Sequence, residues 1–340
     1  MNTAHRILVC GVGSIGERHI KNLSALGYTD IAVYRARNLP FRNVNGSIPI
    51  YTDLKEALTD FAPTVTFVTN PTAFHVSIAM EAARANSHLF IEKPISHNLD
   101  KIEELCHTLK SHRCLAMVGY MLRFHPFFKQ LKSWLDEGPS GILGRPIFLR
   151  TTWGEHLPDW HPWEDYRQSY AAHAAMGGGP AFTLSHDLDL LVWLFGVPDK
   201  VVGLPNSISP LDINVEHSID ILLGFQHGMT ANVHLDFCQR PPSRVWELVC
   251  SHGKVEIDIL AGTLTLWKSI IGEIHSPQEG SQTPGEVQAL PKTFDRNVLF
   301  LEELRYFFSC VNAGEQPMPD IATGAESVRI AQRALSKGLT

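Results

Sequence analysis

The chain has 340 residues, of which 29 are basic and 35 acidic, giving a formal net charge of −6. That length suits about two domains, each burying its own core, and the absence of a basic block argues against a nucleic-acid partner. No stretch approaches the roughly 18 uninterrupted apolar residues of a membrane span, and no charged and apolar leader precedes the first strand, so a cytoplasmic protein with no membrane partner is expected.

Ile7-Leu8-Val9-Cys10 reads as a buried strand, Gly11-Val12-Gly13-Ser14-Ile15-Gly16 as a turn, and the residues from Glu17 as a helix. In that context G-x-G-x-x-G predicts a dinucleotide-binding turn rather than an ordinary glycine turn. Gly11 allows the tight turn, Gly13 lets the backbone approach a pyrophosphate, and Gly16 lets the helix pack on the strand. Ser14 and Ile15 complete the cofactor-binding turn, and the helix N-terminus that follows faces the anion. A second strand ends at Ile31-Ala32-Val33-Tyr34, and Arg35, 24 positions after Gly11, takes the place where NAD binding usually puts an acid. Arg35, Arg37 and Asn38 suit a ribose 2′-phosphate, and no carboxylate lies between Asp30 and Asp53 to repel it. NADP(H) is therefore expected in preference to NAD(H), against the plainer reading of a solvated basic loop.

Asp53-Leu54-Lys55-Glu56 resembles a capping box. Val65 to Thr69 and His88 to Ile91 read as strands around a helix from about His75 to Ala85. This alternation predicts a parallel sheet covered by helices, with its ligand at the carboxyl ends of the strands, where Asn70-Pro71 and Glu92-Lys93-Pro94 fall. Beyond about residue 142 longer strands follow: Pro146 to Trp153, Ser218 to Leu223, Thr230 to Leu235 and Val245 to Val249. They suggest a mostly antiparallel sheet, with helices at His186 to Phe195, Arg296 to Val311 and Thr323 to Ser336. Gly272 to Pro291, rich in Gly, Pro, Ser and Gln, reads as a mobile loop. Cys10, Cys106, Cys114, Cys238, Cys250 and Cys310 lack C-x-x-C spacing, so neither a metal site nor a redox motif is expected, and they read as buried small hydrophobes.

With Glu92-Lys93-Pro94 ending a strand, the chain resembles the Gfo/Idh/MocA oxidoreductases. The same resemblance runs through Thr69-Asn70-Pro71-Thr72-Ala73-Phe74-His75 and Gly119-Tyr120-Met121-Leu122-Arg123-Phe124-His125-Pro126. It continues in Gly177-Gly178-Gly179, His186-Asp187-Leu188-Asp189 and Trp193-Leu194-Phe195-Gly196, so it covers nearly the whole chain in order. It implies an α/β protein: an N-terminal Rossmann domain, residues 1–122, and a C-terminal α/β domain, residues 123–340, with a large, mostly antiparallel open sheet. The last helices are open to packing back on the first domain, and the open sheet implies a homodimer or homotetramer.

The resemblance assigns proton transfer to Lys93 and His186. A hydride can move to or from a carbinol carbon only if a proton moves on its oxygen, and a positioned ammonium donates that proton and stabilises alkoxide charge. His186 has the competing reading of a capping or packing histidine, and Asp189 that of either its orienter or a favourable first-turn acid. Asn70, Pro71, His75 and Glu92 are expected on the cofactor side with Lys93.

Many relatives carry Asp between the triple glycine and the histidine. Here Thr183 is nearest that slot, and its hydroxyl can bond a substrate but cannot serve as a carboxylate base. The aromatic run Trp153 to Arg167 suits a sugar ring or, equally, an interface loop. Tyr120, Arg123, Trp153, His161, Asp165, Arg167, Thr183 and His186 are the candidates to shape the substrate pocket, with Arg167 facing either an anionic ligand group or the nicotinamide.

Thr183-Leu184-Ser185-His186 with Glu164-Asp165-Tyr166-Arg167 is most similar to members of surface-polysaccharide and amino-sugar synthesis. The expected function is an NADP(H)-dependent oxidoreductase of a secondary alcohol or ketone on a sugar, amino sugar or nucleotide-activated sugar. A non-catalytic nucleotide sensor, or a glycosidase retaining NAD, is the alternative.

Overall fold

The computed structural model describes residues 4–36, 41–42, 48–268 and 285–336. Arg37, Asn38 and most of the expected 272–291 loop lie outside them. The chain divides into two units: residues 1–121, 173–178 and 296–332 form the first, and 122–172, 179–295 and 333–340 the second.

The first unit holds a six-stranded parallel sheet ordered β3-β2-β1-β4-β5-β6. Its strands are β1 (Ile7–Cys10), β2 (Ile31–Tyr34), β3 (Ile50–Tyr51), β4 (Val65–Val68), β5 (His88–Glu92) and β6 (Ala116–Gly119). Ile7, Leu8, Val9 and Cys10 are fully buried, as expected where helices cover both faces of a parallel sheet and the strands become continuous apolar runs. Helix α1 (Ser14–Ala25) follows β1 directly. A short turn of helix, α2 (Leu54–Glu56), is capped by Asp53, whose Oδ1 accepts from the Glu56 N–H at 2.8 Å. Helices α3 (His75–Arg84) and α4 (Ile102–Ser111) precede β5 and β6. Strand order reverses between β2 and β4 on either side of β1, which opens the ligand crevice of such sheets beyond the carboxyl end of β1.

The second unit contains α5 (Pro126–Asp136), then β7 (Pro146–Gly154), α6 (Pro180–Thr183) and α7 (His186–Phe195). It continues through β8 (Lys200–Asn206), β9 (Ser218–Gly224), β10 (Thr230–Asp236), β11 (Ser243–Cys250), β12 (Gly253–Asp258), β13 (Thr263–Lys268) and β14 (Glu286–Ala289). Its eight strands are ordered β14-β13-β12-β11-β7-β10-β9-β8, and every pairing is antiparallel except β7 with β10. Period-2 alternation sends Arg244, Trp246, Leu248 and Cys250 of β11 inward.

Two expectations need correction. Residues 286–289 form an edge strand rather than loop; all four side chains are exposed, so no apolar alternation marked them. Cys238 is exposed and Cys106 only partly buried, whereas the other four cysteines are buried. Among the described residues no helix is long and apolar enough to cross a membrane.

Candidate functional site

In the first unit the glycines expected to hold a dinucleotide form the β1–α1 turn, with Asn70 beside it. Gly11 has φ +95°, and a Cβ there would stand 2.7 Å from the Asn70 N, so only glycine lets this turn lie against the end of β4. A Cβ on Gly16 would stand 2.1 Å from the Gly11 carbonyl oxygen, which is the close helix-to-turn approach expected of the third glycine. Around Gly13 the space is open to 4 Å, and α1 begins at Ser14 with no side-chain cap on its free N–H groups. Thr69 braces the turn, its hydroxyl donating to the Gly11 carbonyl at 2.5 Å. The Asn70 side-chain oxygen is buried and has no hydrogen-bond partner among the described residues. A buried acceptor without a donor is costly unless a ligand supplies one. The uncapped helix end, the open space at Gly13 and the Asn70 acceptor fit a dinucleotide's anionic pyrophosphate and hydrogen-bonding sugar or amide groups.

Arg35 follows β2, buried, with its guanidinium carbon 4.7 Å from the Phe41 ring centre. Pro71 caps the turn that leads into α3.

Two residues expected on the cofactor side are turned inward instead. His75 is buried, with Nδ1 2.8 Å from the Pro94 carbonyl oxygen and Nε2 2.7 Å from that of Asn70, so both ring nitrogens are engaged with backbone. Burial lowers its pKa, while the two carbonyls pull the other way. His75 thus ties the loop after β4 to the loop after β5. Glu92 accepts from His19 Nε2 at 2.6 Å and from the Lys93 N–H at 3.2 Å, which anchors the loop after β5 to α1. Burial alone would raise its pKa, but the His19 hydrogen bond and charge, with Lys93, hold it below the usual carboxylate range. Lys93 is partly buried, and the Lys93–Pro94 peptide is cis. Tyr120, fully buried, bonds Ser327 through its hydroxyl at 2.5 Å and so serves the packing of this unit.

In the second unit β7, β11 and α7 bring a second group together. His186, buried at the start of α7, lies in near-parallel contact with Trp153, their ring centres 6.0 Å apart and their planes at 27°. Register places Arg244 opposite Trp153 and Trp246 opposite Thr151. The Arg244 guanidinium carbon stands 3.4 Å from the Trp153 ring centre. Asp187, beside His186 in sequence, accepts from Thr151 Oγ1 at 2.5 Å and Trp246 Nε1 at 3.0 Å, with Arg244 at 3.5 Å. Burial pushes the Asp187 carboxyl above its usual range, and Arg244 opposes that shift. Nothing in the chain's local pattern pointed to Arg244, because its relation to His186 depends on the β7–β11 register.

The remaining substrate candidates separate. Arg123 forks onto Asp189 at 2.9 and 2.7 Å, both residues buried, so Asp189 does not orient His186 and the Arg123 guanidinium is held inside the unit. Thr183 donates its hydroxyl to the carbonyl of Gly179, the residue before its own helix, at 2.8 Å. Arg167 pairs with Asp165 at 2.8 Å, and that guanidinium holds the exposed carboxyl below its usual range. His161 lines a shallow surface hollow with Leu157, Trp160, Glu164, Tyr166 and Ser169. Trp153 donates its indole N–H to Glu155 at 2.7 Å.

Residues 5–120 match the description "Oxidoreductase family, NAD-binding Rossmann fold", and residues 128–256 match the Gfo/Idh/MocA C-terminal domain. The chain belongs to the Gfo/Idh/MocA oxidoreductase family. The myo-inositol 2-dehydrogenase of Thermotoga maritima is 29% identical over 208 residues, 60% of this chain and 58% of that protein. Across the first curated relatives the matched region spans little more than half of their length, from 53% to 58%. Among solved structures, levoglucosan dehydrogenase in complex with NADH and levoglucosan superposes with a TM-score of 0.79 at 16% identity, covering 96% of each chain. The WlbA dehydrogenase of Bordetella pertussis, in complex with NADH and UDP-GlcNAcA, gives 0.78 at 18% identity, covering 98% of this chain and 97% of that one. At those identities the structural likeness establishes the fold.

Proposed function

We propose that the chain is an NADP(H)-dependent dehydrogenase acting on a secondary alcohol or ketone carbon of a sugar-like substrate. The observation that carries this reading is the β1–α1 turn, with its uncapped helix end and open Gly13, beside the unpartnered Asn70 acceptor, whose loop His75 ties to the Glu92-Lys93-Pro94 loop. Gly11, Gly13, Ser14, Ile15 and Gly16 hold the pyrophosphate, and Asn70 and Pro71 the ribose and nicotinamide side. Glu92 and His75 act on the cofactor through the backbone they fix. Arg35, with Arg37 and Asn38, favours the 2′-phosphate.

When bound, the nicotinamide supplies or takes the hydride. Lys93 carries the proton at the reacting oxygen and stabilises alkoxide charge, while His186 is the second proton-transfer group, its ring set by Trp153. Trp153 and His161 contribute aromatic surface for a sugar ring, and the Asp165–Arg167 pair a polar edge. The reading is supported by family membership and by relatives named as inositol dehydrogenases. Homo-oligomerisation through the open sheet face is supported by Leu204 and Leu222, both more than half exposed there. Screening amino, neutral and nucleotide-linked sugars for NADP reduction or NADPH oxidation tests the function, and tight NADPH binding with no turnover would favour the sensor reading.

A further inference from the structure

The segment joining β8 to β9 carries Glu216 between two buried neighbours, Val215 and His217. Its carboxylate reaches the glycine turn that precedes α6. Oε1 accepts from the Ala181 N–H at 3.1 Å, and both oxygens stand 2.5 Å from where a Cβ on Gly179 would be. Gly179 also has φ +95°, so both its conformation and the carboxylate beside it require glycine.

This carboxylate lies at the sheet end occupied by His186 and Trp153. Ser218, two residues after Glu216, pairs with Asp236, and Asp236 with Gly154, the neighbour of Trp153. Trp153 in turn packs on His186. No ion pair reaches Glu216 among the described residues. The adjacent imidazole of His217 is engaged through Nδ1 with the Ser209 hydroxyl at 2.6 Å. Thr183, on the same turn, is engaged through its hydroxyl with Gly179. Burial, opposed only by the N–H groups of Ala181 and of Glu216 itself, pushes the Glu216 carboxyl up to about 7. A largely desolvated carboxylate held only by backbone N–H groups, with no counter-cation, calls for a ligand that brings donors or positive charge.

Resting on the dehydrogenase reading above, we propose that Glu216 is a specificity-determining residue that receives a hydrogen-bond-donating group of the substrate. It favours an ammonium over a hydroxyl and rejects a carboxylate at that position. The substrate class this selects is a sugar bearing a free amino group.

The test is calorimetric binding of D-glucosamine, D-glucose and D-glucuronate to the protein saturated with NADPH, for the wild type, Glu216→Gln and Glu216→Asp. The wild type is expected to bind glucosamine at least about tenfold more tightly than glucose, and glucuronate most weakly. Glu216→Gln, isosteric and uncharged, should erase the glucosamine preference while leaving NADPH affinity unchanged, and Glu216→Asp should keep its sign. A wild type without that order of affinities, or an order that survives Glu216→Gln, overturns the assignment. Failure of the wild type to bind NADPH would instead remove the dehydrogenase reading itself, and this role with it.

Discussion

Arg244 stands opposite Trp153 across the β7–β11 ladder, with its guanidinium carbon 3.4 Å from the centre of the indole that packs on His186. The same guanidinium is the cation nearest buried Asp187 among the described residues, at 3.5 Å. Removing it costs the contact over the indole and also leaves a buried carboxylate without its counter-charge. Arg244→Leu should therefore destabilise the protein by about 3 kcal/mol in urea unfolding. Adding Asp187→Asn should recover a large part of that loss. A single variant within about 1 kcal/mol of the wild type would contradict the pairing.

Asn70 separates binding from stability. Its side-chain oxygen has no partner among the described residues, so no hydrogen bond of the folded chain is lost when it is removed. Asn70→Ala should weaken NADPH binding by about tenfold, one hydrogen bond's worth, while leaving the melting temperature unchanged. Loss of stability without loss of NADPH affinity would assign Asn70 a structural role instead.

On the proposed reading, Arg35 sets cofactor choice. Fluorescence titration should give NADPH at least about a tenfold advantage over NADH, a margin of about 1.4 kcal/mol, and Arg35→Asp should erase or reverse it. Equal affinities in the wild type would refute the 2′-phosphate assignment.

His234 gives the second unit a pH-dependent contribution. Hydrogen bonds from its imidazole to Asp236, and then to Asp220, raise its pKa to about 9. The folded value exceeds the unfolded one, which is about 6.5. The imidazolium's contribution is therefore complete below about pH 6.5 and is lost as pH rises through about 9. Urea midpoints measured at both ends of that window should fall with pH in the wild type, and the fall should be smaller in His234→Asn. Parallel curves for the two proteins would contradict it.

The nucleotide turn was legible because each of its requirements is local: a strand of four apolar residues, glycines at fixed offsets and a helix start. The second sheet was legible from alternation in β7, β9, β10 and β11, but not at β14, whose residues are all exposed. Long-range bonds left no local trace. Glu92 meets His19 from 73 residues away, and His75 bonds a carbonyl beyond the next strand, so both read as cofactor ligands when their polar atoms face inward. Arg123 and Asp189 looked like separate site residues because nothing in their spacing announces a buried fork. Arg244 and Glu216 escaped notice for the same reason: register and a connecting segment, not sequence neighbours, bring them to their partners.

The central claim is that Lys93 carries the proton at the reacting oxygen of a dehydrogenase. Its most direct test is steady-state turnover and NADPH affinity of Lys93→Met, measured with a substrate found by the sugar screen. Turnover should fall by about a hundredfold or more with NADPH affinity unchanged, and turnover close to that of the wild type would contradict the account.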